Sequence, residues 1–320
     1  MSFHHCTRIF FTLIATLAFV SACGPSGSTP ETAIGVNAAQ DTLVTTEWLN
    51  QHLDDPDLVV IDCSVRIEFD GNGGLRSLSG RSDYETGHIP TAGFADLTSD
   101  LSDVDSPFQF ALLTPEQFVS VMGALGVGDD SRVVLYDNSN SGWAARVWWM
   151  LRWVGFDRVA LLDGGLVAWT AEGRPLSSEP SNHPVQQLTP NPRPELIADQ
   201  DEVLAAIDND AIHLVDAMPE SHFRGDMVLY DRSGHIPGAT NIPSSSLLDE
   251  SGRYRPNEEL ASILDGDRKA RNITYCGGGI SASVNAFVMT RLGFTDVAVY
   301  ISSLQEWANN FDNPMVTDTP

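Results

Sequence analysis

The chain has 320 residues, 42% of them hydrophobic, and a formal net charge of −25 at pH 7. This length exceeds one typical domain and predicts two domains of about 130 residues each. The hydrophobic fraction is that of an ordinary globular protein with buried cores. The acidic balance argues against nucleic acid and against anionic membrane surfaces as partners.

The first 22 residues have the pattern of an export signal. Arg8 precedes an apolar run at residues 9–20, which is too short to span a bilayer and leads through small residues to Cys23. The ending Val-Ser-Ala-Cys resembles a bacterial lipoprotein signal, and an ordinary secretory signal cleaved nearby is the alternative. We therefore expect an exported, periplasmic protein attached to a membrane only by a lipid on Cys23, with a flexible tether over residues 23–41.

Two cysteines remain in the part of the chain that is predicted to fold, Cys63 and Cys276. A disulfide between them is chemically possible in an exporting compartment. The two residues lie in different predicted domains, and a disulfide would abolish a nucleophile at Cys276, so we expect two free thiols. Cys63 follows a predicted strand and is interpreted as a small residue of the core or of a loop edge.

In the first half of the chain, helical segments alternate with short apolar strands. The predicted elements are strands at residues 58–61, 132–136 and 158–162, a helix at 143–153, and helices that begin near residues 45, 115 and 165. Residues 67–86 are polar and rich in glycine, which predicts an unpaired loop.

The same order recurs in the second half, after a linker at residues 177–194 that is rich in Pro, Ser and Asn. Gly-His-Ile-Pro occurs once in each half, and the apolar strands at 212–216, 272–276 and 297–300 match the three strands before them. Such self-similarity indicates two copies of one fold, predicted at residues 42–176 and 195–320. Alternating strands and helices predict an α/β fold in which each copy has a mostly parallel sheet flanked by helices, with sites at the carboxyl ends of strands.

One segment of the second half carries distinctive chemistry. A short strand ends at Cys276, three glycines follow, and a helical segment begins at once. Glycines allow several backbone N–H groups to approach one centre, and a helix N-terminus adds partial positive charge, so both features favour a thiolate. A buried, inert cysteine beside a turn is the alternative, but it does not need three consecutive glycines. Asp137 stands at the matching place of the first half and cannot carry sulfur, so we expect one active site.

The ordered set of motifs is similar to that of tandem-domain rhodanese-like sulfurtransferases. It comprises Gly-His-Ile-Pro in both halves, Ala145-Arg146-Val147-Trp148-Trp149 with Leu162-Asp163-Gly164-Gly165, Asp216-Ala217, and the cysteine loop. The resemblance spans residues 42–315 and implies two rhodanese-like domains, of which only the second is catalytic. It also implies transfer of a sulfane sulfur from thiosulfate or 3-mercaptopyruvate to cyanide, a thiol or sulfite, through a persulfide on Cys276.

The resemblance assigns roles to residues of the second half. Cys276 is the nucleophile, and the active-site loop consists of Gly277, Gly278, Gly279, Ile280 and Ser281. The loop is more similar to the mercaptopyruvate type, Cys-Gly-Ser-Gly-Val-Thr-Ala, than to the thiosulfate type, in which a basic residue follows the cysteine. Gly278 lacks the hydroxyl of the former type. Met218 and His222 replace arginines that often hold the anionic donor in the family.

The residues near these replaced arginines include three candidate cations for binding the donor, His222, Arg224 and Arg232, with solvation at the surface as the alternative. No His/Cys cluster has metal-ligand spacing, and no cofactor is expected. The expected partners are small-molecule sulfur donors and acceptors, and we expect a monomer.

Four further residues are interpreted as structural. His88 and His235 belong to the two Gly-His-Ile-Pro turns, and one of these turns lies in the half predicted to be inactive. Asp62 and Asp216 end matching strands and are predicted to anchor the loops that follow them through hydrogen bonds.

Other cysteine chemistries fit the sequence less well. A Cys-x5-Arg phosphatase needs an arginine where Ala282 stands, and a thioredoxin-like pair needs a second cysteine in place of Gly279. A hypothesis of a different class stays open, namely a tethered sulfur-binding or protein-interaction module with little turnover. The replaced arginines favour this module, and the intact cysteine loop favours the enzyme.

Overall fold

Two five-stranded parallel sheets carry the fold, one in each half of the chain. The computed structural model describes residues 42–69 and 75–318, so the predicted signal, the tether and Cys23 lie outside the described residues. The described part of the chain contains no helix that is both long and apolar enough to cross a membrane. It belongs to one compact unit.

The elements alternate in both halves as the sequence predicts. The first half contains β1 (Leu43–Val44), α1 (Thr46–His52), β2 (Leu58–Asp62), β3 (Val65–Phe69), β4 (Leu75–Ser79), α2 (Arg81–Thr86), β5 (Gly93–Phe94), α3 (Pro115–Ala124), β6 (Arg132–Tyr136), α4 (Gly142–Trp153), β7 (Val159–Leu162) and α5 (Gly165–Ala171). The second half contains β8 (Ile197–Ala198), α6 (Gln200–Ala206), β9 (Ile212–Asp216), α7 (Glu220–Phe223), β10 (Thr240–Asn241), α8 (Asn257–Ile263), β11 (Arg271–Tyr275), α9 (Ile280–Arg291), β12 (Val297–Tyr300) and α10 (Ser303–Trp307).

The two sheets have the same topology. The strand order is β1-β7-β6-β2-β5 in the first sheet and β8-β12-β11-β9-β10 in the second, and all neighbouring strands are parallel. In the central pairs, Tyr136 lies opposite Asp62 and Tyr275 lies opposite Asp216. The predicted fold class is confirmed, and Cys276 directly follows the central strand of the second sheet at its carboxyl end.

Local signals set the ends of the first helices. The Thr45 side chain caps α1 by accepting a hydrogen bond from the Trp48 amide at 3.1 Å. Thr114 and Gln117 form a reciprocal capping box at the start of α3, with Pro115 at its first position. Both predicted helix starts are therefore confirmed.

Helices α4 and α9 pack against each other between the two halves. Nearly all of α4 is buried, as expected for a helix that is apolar all round, and Trp148 meets Phe287 of α9 edge to face at a centroid distance of 4.9 Å. A Cβ on Gly142 would lie 3.2 Å from the Ile280 side chain. The N-terminal ends of α4 and α9 are therefore neighbours, and this brings the first half to the cysteine loop.

The prediction of an unpaired loop at residues 67–86 is wrong. Strands β3 and β4 form an antiparallel hairpin that pairs Val65 with Ser79, and helix α2 follows it. Val65 at the start of the hairpin is buried in the core, but Ile67 is 47% exposed, so backbone pairing stabilises most of the hairpin. The sequence therefore lacks the alternating apolar pattern that would predict two strands here. The remaining signal for a hairpin is the glycine-rich sequence between the strands, because glycine is typical of hairpin turns.

Candidate active site

The loop between β11 and α9 is held from one side by the start of α10. The Cys276 amide donates to Ser303 Oγ at 3.1 Å, and the Leu304 and Gln305 amides donate to the carbonyl oxygens of Cys276 and Gly277, each at 3.0 Å. These bonds satisfy the first carbonyl groups of the loop. Cys276 is 2% exposed, so its sulfur lies in a site largely shielded from water.

The backbone donors of the same loop have no such partners. The N–H groups of Gly277, Gly278 and Gly279 donate to no acceptor in the described part of the chain. Gly279 adopts φ 79° as the N-cap of α9, and the N–H groups of a first helical turn lack intrahelical acceptors. Unpaired donors at a positive helix end favour an anion beside them, which supports the predicted preference for a thiolate at Cys276.

Two side chains lie so close to this loop that only glycine fits there. A Cβ on Gly277 would overlap the hydroxyl of Tyr230, and a Cβ on Gly279 would lie 2.6 Å from Nη1 of Arg146. Burial raises the pKa of the Tyr230 phenol, and the charge of Cys276 raises it further, so the phenol stays protonated. Burial lowers the pKa of Arg146 to about 10, and Cys276 opposes that shift, so the guanidinium stays charged at neutral pH.

Neither Arg146 nor Tyr230 was among the predicted site residues. A signal existed for Arg146, since it is a charged residue within the apolar stretch that forms α4. For Tyr230 we find none, because the loop that carries it follows α7 without a recognisable pattern. Both positions depend on how the chain folds back over the cysteine loop.

The matching loop of the first half wraps a carboxylate. Asp137 is buried and accepts hydrogen bonds from the amides of Ser139, Ser141 and Ala144 at 2.9, 3.1 and 3.0 Å. Burial raises the pKa of Asp137, and these amides oppose the rise. Ser141, at φ 61°, caps α4 in the same left-handed conformation as Gly279 before α9.

The predicted loop anchors are confirmed. Asp62 accepts the Ser64 amide at 2.8 Å, and Asp216 accepts the Met218 amide at 2.7 Å. Burial raises the pKa of each carboxyl to about 6. The hydrogen bonds from these backbone amides, together with those from the facing hydroxyls of Tyr136 and Tyr275, oppose that rise.

Each Gly-His-Ile-Pro turn is bound to the neighbouring tyrosine of its own sheet. The Ile89 amide donates to the Tyr136 hydroxyl at 3.2 Å, and the Ile236 amide donates to the Tyr275 hydroxyl at 3.1 Å. These paired contacts connect the turn to the strand that ends at the site. Tyr275 precedes Cys276 directly, so its contact also fixes the base of the cysteine loop.

The two histidines of these turns fix backbone, as predicted. His88 lies 2.7 Å from the Tyr84 carbonyl oxygen through Nδ1 and 2.9 Å from that of Glu179 through Nε2. His235 lies 2.7 Å from the Phe223 carbonyl oxygen and stacks on the Phe223 ring at 3.6 Å. Both rings are buried.

The structure places the three predicted donor-binding cations, Arg232, Arg224 and His222, in different surroundings. Arg232 donates to four backbone carbonyl oxygens of residues 307–313 at 2.7–3.0 Å and so holds the C-terminal segment. Arg224 is exposed and pairs with Asp226 and Glu220. Partial burial lowers the pKa of His222, which favours its neutral form at pH 7. The structure therefore lends no support to donor binding by Arg232, because its donors serve the backbone of the C-terminal segment.

Both described cysteines are free, as predicted, and both are buried. Burial raises the pKa of Cys63 well above its usual range, and the nearby carboxylates of Asp62 and Asp137 raise it further. Cys63 is therefore interpreted as an unreactive core thiol. Within residues 42–69 and 75–318, no group of three or more His, Cys, Asp or Glu side chains could hold a metal ion.

The rhodanese-like domain model matches the chain twice, at residues 45–172 and 199–310. A probable 3-mercaptopyruvate sulfurtransferase of Pseudomonas aeruginosa is 35% identical over 287 residues, which cover 86% of this chain and 98% of the relative. The thiosulfate sulfurtransferase of Cricetulus griseus is 33% identical over 279 residues, covering 83% of this chain and 91% of the relative.

The fold is also found in a solved relative. The crystal structure of SseA from Escherichia coli superposes with a TM-score of 0.71 at 33% identity, covering 81% of this chain and 97% of that one. With the two domain matches and identities above 30% over nearly the whole length of the relatives, the protein belongs to the rhodanese-like family and is a sulfurtransferase.

Proposed function

We propose that Cys276 carries a sulfane sulfur as a persulfide between an anionic donor, thiosulfate or 3-mercaptopyruvate, and a thiophilic acceptor such as cyanide, a thiol or sulfite. One observation carries the proposal. Cys276 stands where the first half holds the buried Asp137 carboxylate on three backbone amides, and the N–H groups of Gly277, Gly278 and Gly279 find no acceptor among the described residues. A loop that binds an anion in one copy of the fold offers the same environment to a thiolate in the other.

The first step is a nucleophilic attack by the Cys276 thiolate on the sulfur that is transferred, which is the outer sulfur of thiosulfate or the thiol sulfur of 3-mercaptopyruvate. With thiosulfate, the S–S bond of the donor breaks, sulfite leaves with the electron pair, and Cys–S–S⁻ remains. With 3-mercaptopyruvate, the C–S bond breaks, and the pyruvate carbanion takes up the thiol proton. In the second step, cyanide attacks the outer sulfur of the persulfide, thiocyanate leaves, and the Cys276 thiolate is restored.

Relatives with either name cover most of this chain, since one is called a 3-mercaptopyruvate and another a thiosulfate sulfurtransferase. The loop supports the former donor, because Gly277 follows Cys276 where a basic residue would favour the doubly charged thiosulfate. We therefore infer a higher kcat/KM for 3-mercaptopyruvate than for thiosulfate.

The test measures thiocyanate formed from each donor and cyanide by the wild type, Cys276→Ala and Cys63→Ala. We expect product from the wild type and from Cys63→Ala, and background alone from Cys276→Ala. If all three proteins form only background amounts of thiocyanate with both donors, the proposed sulfur transfer to cyanide is refuted. A gain of one sulfur in the mass of Cys276, without thiocyanate, would instead identify the sulfur-binding module.

We also propose export and attachment to a membrane by a lipid on Cys23, supported by the apolar run and the Val-Ser-Ala-Cys ending of the first 23 residues. Labelled palmitate should enter the full-length protein and should not enter a Cys23→Ala variant, which should appear in the soluble periplasmic fraction. Equal labelling of both proteins contradicts a lipid on Cys23. The soluble part is proposed to be a monomer, which its sedimentation will test.

A further inference from the structure

Arg146 is buried without a complete set of partners. Its side chain is 0% exposed, and Nη2 donates to the Phe110 carbonyl oxygen at 2.6 Å. Nε and Nη1 have no acceptor in the described part of the chain. A guanidinium has five N–H donors, and its burial is costly unless the charge is paired and hydrogen-bonded.

The unpaired side of the guanidinium faces the cysteine loop. Nη1 would lie 2.6 Å from a Cβ at Gly279, which is the left-handed residue that begins α9. The charge of Cys276 also favours the charged form of Arg146 and so raises its pKa against the effect of burial. The cation of the first half and the sulfur of the second half are therefore electrostatic partners across the interface between α4 and α9.

The residue that holds Arg146 is itself in an unusual conformation. Phe110 adopts φ 59°, in the left-handed region that non-glycine residues rarely occupy. Its ring lies 5.3 Å from that of Trp143 on α4. The next contact along this segment also crosses to the catalytic half, because Gln109 exchanges two hydrogen bonds with Gln305, at 3.0 and 2.9 Å, beside the cysteine loop.

We propose that Arg146, supplied by the first half, is the anion-stabilising residue of the Cys276 site, where its guanidinium holds the negative charge of the sulfur as thiolate and as persulfide. The part of this proposal in which Arg146 stabilises the persulfide rests on the proposed function. The part in which Arg146 stabilises the Cys276 thiolate does not. The first half then contributes the site's cation, which explains how the site functions with Met218 and His222 in place of arginines.

The experiment measures the alkylation rate of Cys276 by neutral iodoacetamide against pH, followed by mass spectrometry, in the wild type, Arg146→Met and Arg146→Lys. Loss of a buried opposite charge should move the midpoint of Arg146→Met upward by about 1 to 2 pH units. Arg146→Lys should restore more than half of that shift. Because both donors form the same persulfide, kcat/KM of Arg146→Met should fall roughly 10- to 150-fold with each of them, and by a similar factor.

The control is Arg152→Met. Arg152 lies six residues further along α4, and its partners are Asp157 and Thr290 rather than the cysteine loop. Its alkylation midpoint should equal that of the wild type. Should Arg146→Met lack a cooperative thermal transition, Arg146→Gln takes its place, because it keeps a donor for the Phe110 carbonyl.

The outcomes separate the two proposals. An unchanged alkylation midpoint in folded Arg146 variants overturns the role of Arg146, and so does a loss confined to KM that differs between the donors. Wild-type protein that forms no thiocyanate, while the midpoint still shifts in Arg146→Met, overturns the proposed function and leaves the role of Arg146 in place.

Discussion

The loop after β6 and the loop after β11 occupy the same place in two copies of one fold, and each is built to hold a negative charge. In the first loop the charge is part of the chain, because the Asp137 carboxylate accepts hydrogen bonds from two amides of the loop and from the Ala144 amide in the first turn of α4. In the second loop the residue is Cys276, and the glycine amides after it have no acceptor in the part of the chain that the structure describes. The hydrogen-bond donors of the first loop are therefore used by its own carboxylate, and this loop is structural. The donors of the second loop stay available to stabilise a negative charge on sulfur.

The helices behind the two loops differ in the same direction. Each begins directly after its loop, and the fifth residue is Arg146 in α4 and Val284 in α9. Helix α4 therefore places the cation Arg146 beside the cysteine loop of the other half. Helix α9 has the buried apolar side chain of Val284 at the same position. Duplication of the fold supplied a second wall for the site as well as a second copy of it.

The largest expected effect comes from exchanging the two loop residues. Cys276→Asp should reduce thiocyanate formation to background, because a carboxylate cannot accept a sulfane sulfur. Asp137→Cys in the Cys276→Asp background should not restore it, since α9 carries Val284 at the helical position where α4 carries Arg146. Thiocyanate formation by this double variant would show that the loop alone suffices.

Removing the carboxylate of the first loop should affect stability rather than turnover. Asp137→Ala leaves the buried amides of Ser139, Ser141 and Ala144 without their acceptor, at a cost of about 3–5 kcal/mol in the free energy of unfolding. Urea denaturation measures this loss, and Asp137→Asn, which keeps one acceptor oxygen, should lose less. The kcat of the folded fraction should stay within about twofold of the wild type. A tenfold loss of kcat at full folding would instead place Asp137 in the site.

The fold could be predicted from the sequence because its signals are local and occur twice. Apolar strands ending at Asp62 and Asp216, the cap at Thr114, and the cysteine followed by glycines each determine structure within a few residues. The hairpin of β3 and β4 was not predicted because Val65 is buried but Ile67 on the same strand is exposed, so the strands lack the alternating apolar pattern that sequence reasoning uses.

The cations of the site show where such reasoning ends. Proximity in sequence favoured Arg232, whose guanidinium instead binds the backbone of residues 307–313. Arg146 lies 130 positions before the nucleophile and reaches it only because α4 packs on α9. A long-range contact of this kind has no signature in the spacing of residues. The sequence signal for Arg146 is that it is a charged residue within an apolar helix, and this signal does not identify the residue with which it interacts.

The two strand-end carboxyls should make stability depend on pH in the same way in both halves. Their pKa of about 6 lies above the ordinary value of 3.8, so between these values the folded state binds more protons than the unfolded one. Each carboxyl therefore favours folding in acid, and this contribution is lost as the pH rises through 6, by at most about 3 kcal/mol each.

Asp216→Asn and Asp62→Asn each remove one titrating group and keep an acceptor oxygen for the loop amide. Relative to the wild type, each variant should gain unfolding free energy between pH 4 and pH 7, with similar gains in the two halves. Urea denaturation across this range provides the measurement. A difference from the wild type that is constant with pH contradicts the raised pKa of that carboxyl.

The smallest expected effect concerns the contact between Tyr230 and Gly277, which the first loop lacks, because Asn138 follows Asp137 there. A methyl group at Gly277 would overlap the Tyr230 hydroxyl, whereas the ring carbon behind it would lie 3.0 Å away. Gly277→Ala should therefore lower kcat/KM about tenfold, roughly 1.4 kcal/mol, by displacing the tyrosine or the loop. The double variant Gly277→Ala/Tyr230→Phe, which removes the overlapping oxygen, should recover most of that loss, and Tyr230→Phe alone is the matched control. If Tyr230→Phe costs as much as Gly277→Ala and the double variant recovers nothing, the hydroxyl itself takes part in sulfur transfer, and steric fit is not its role.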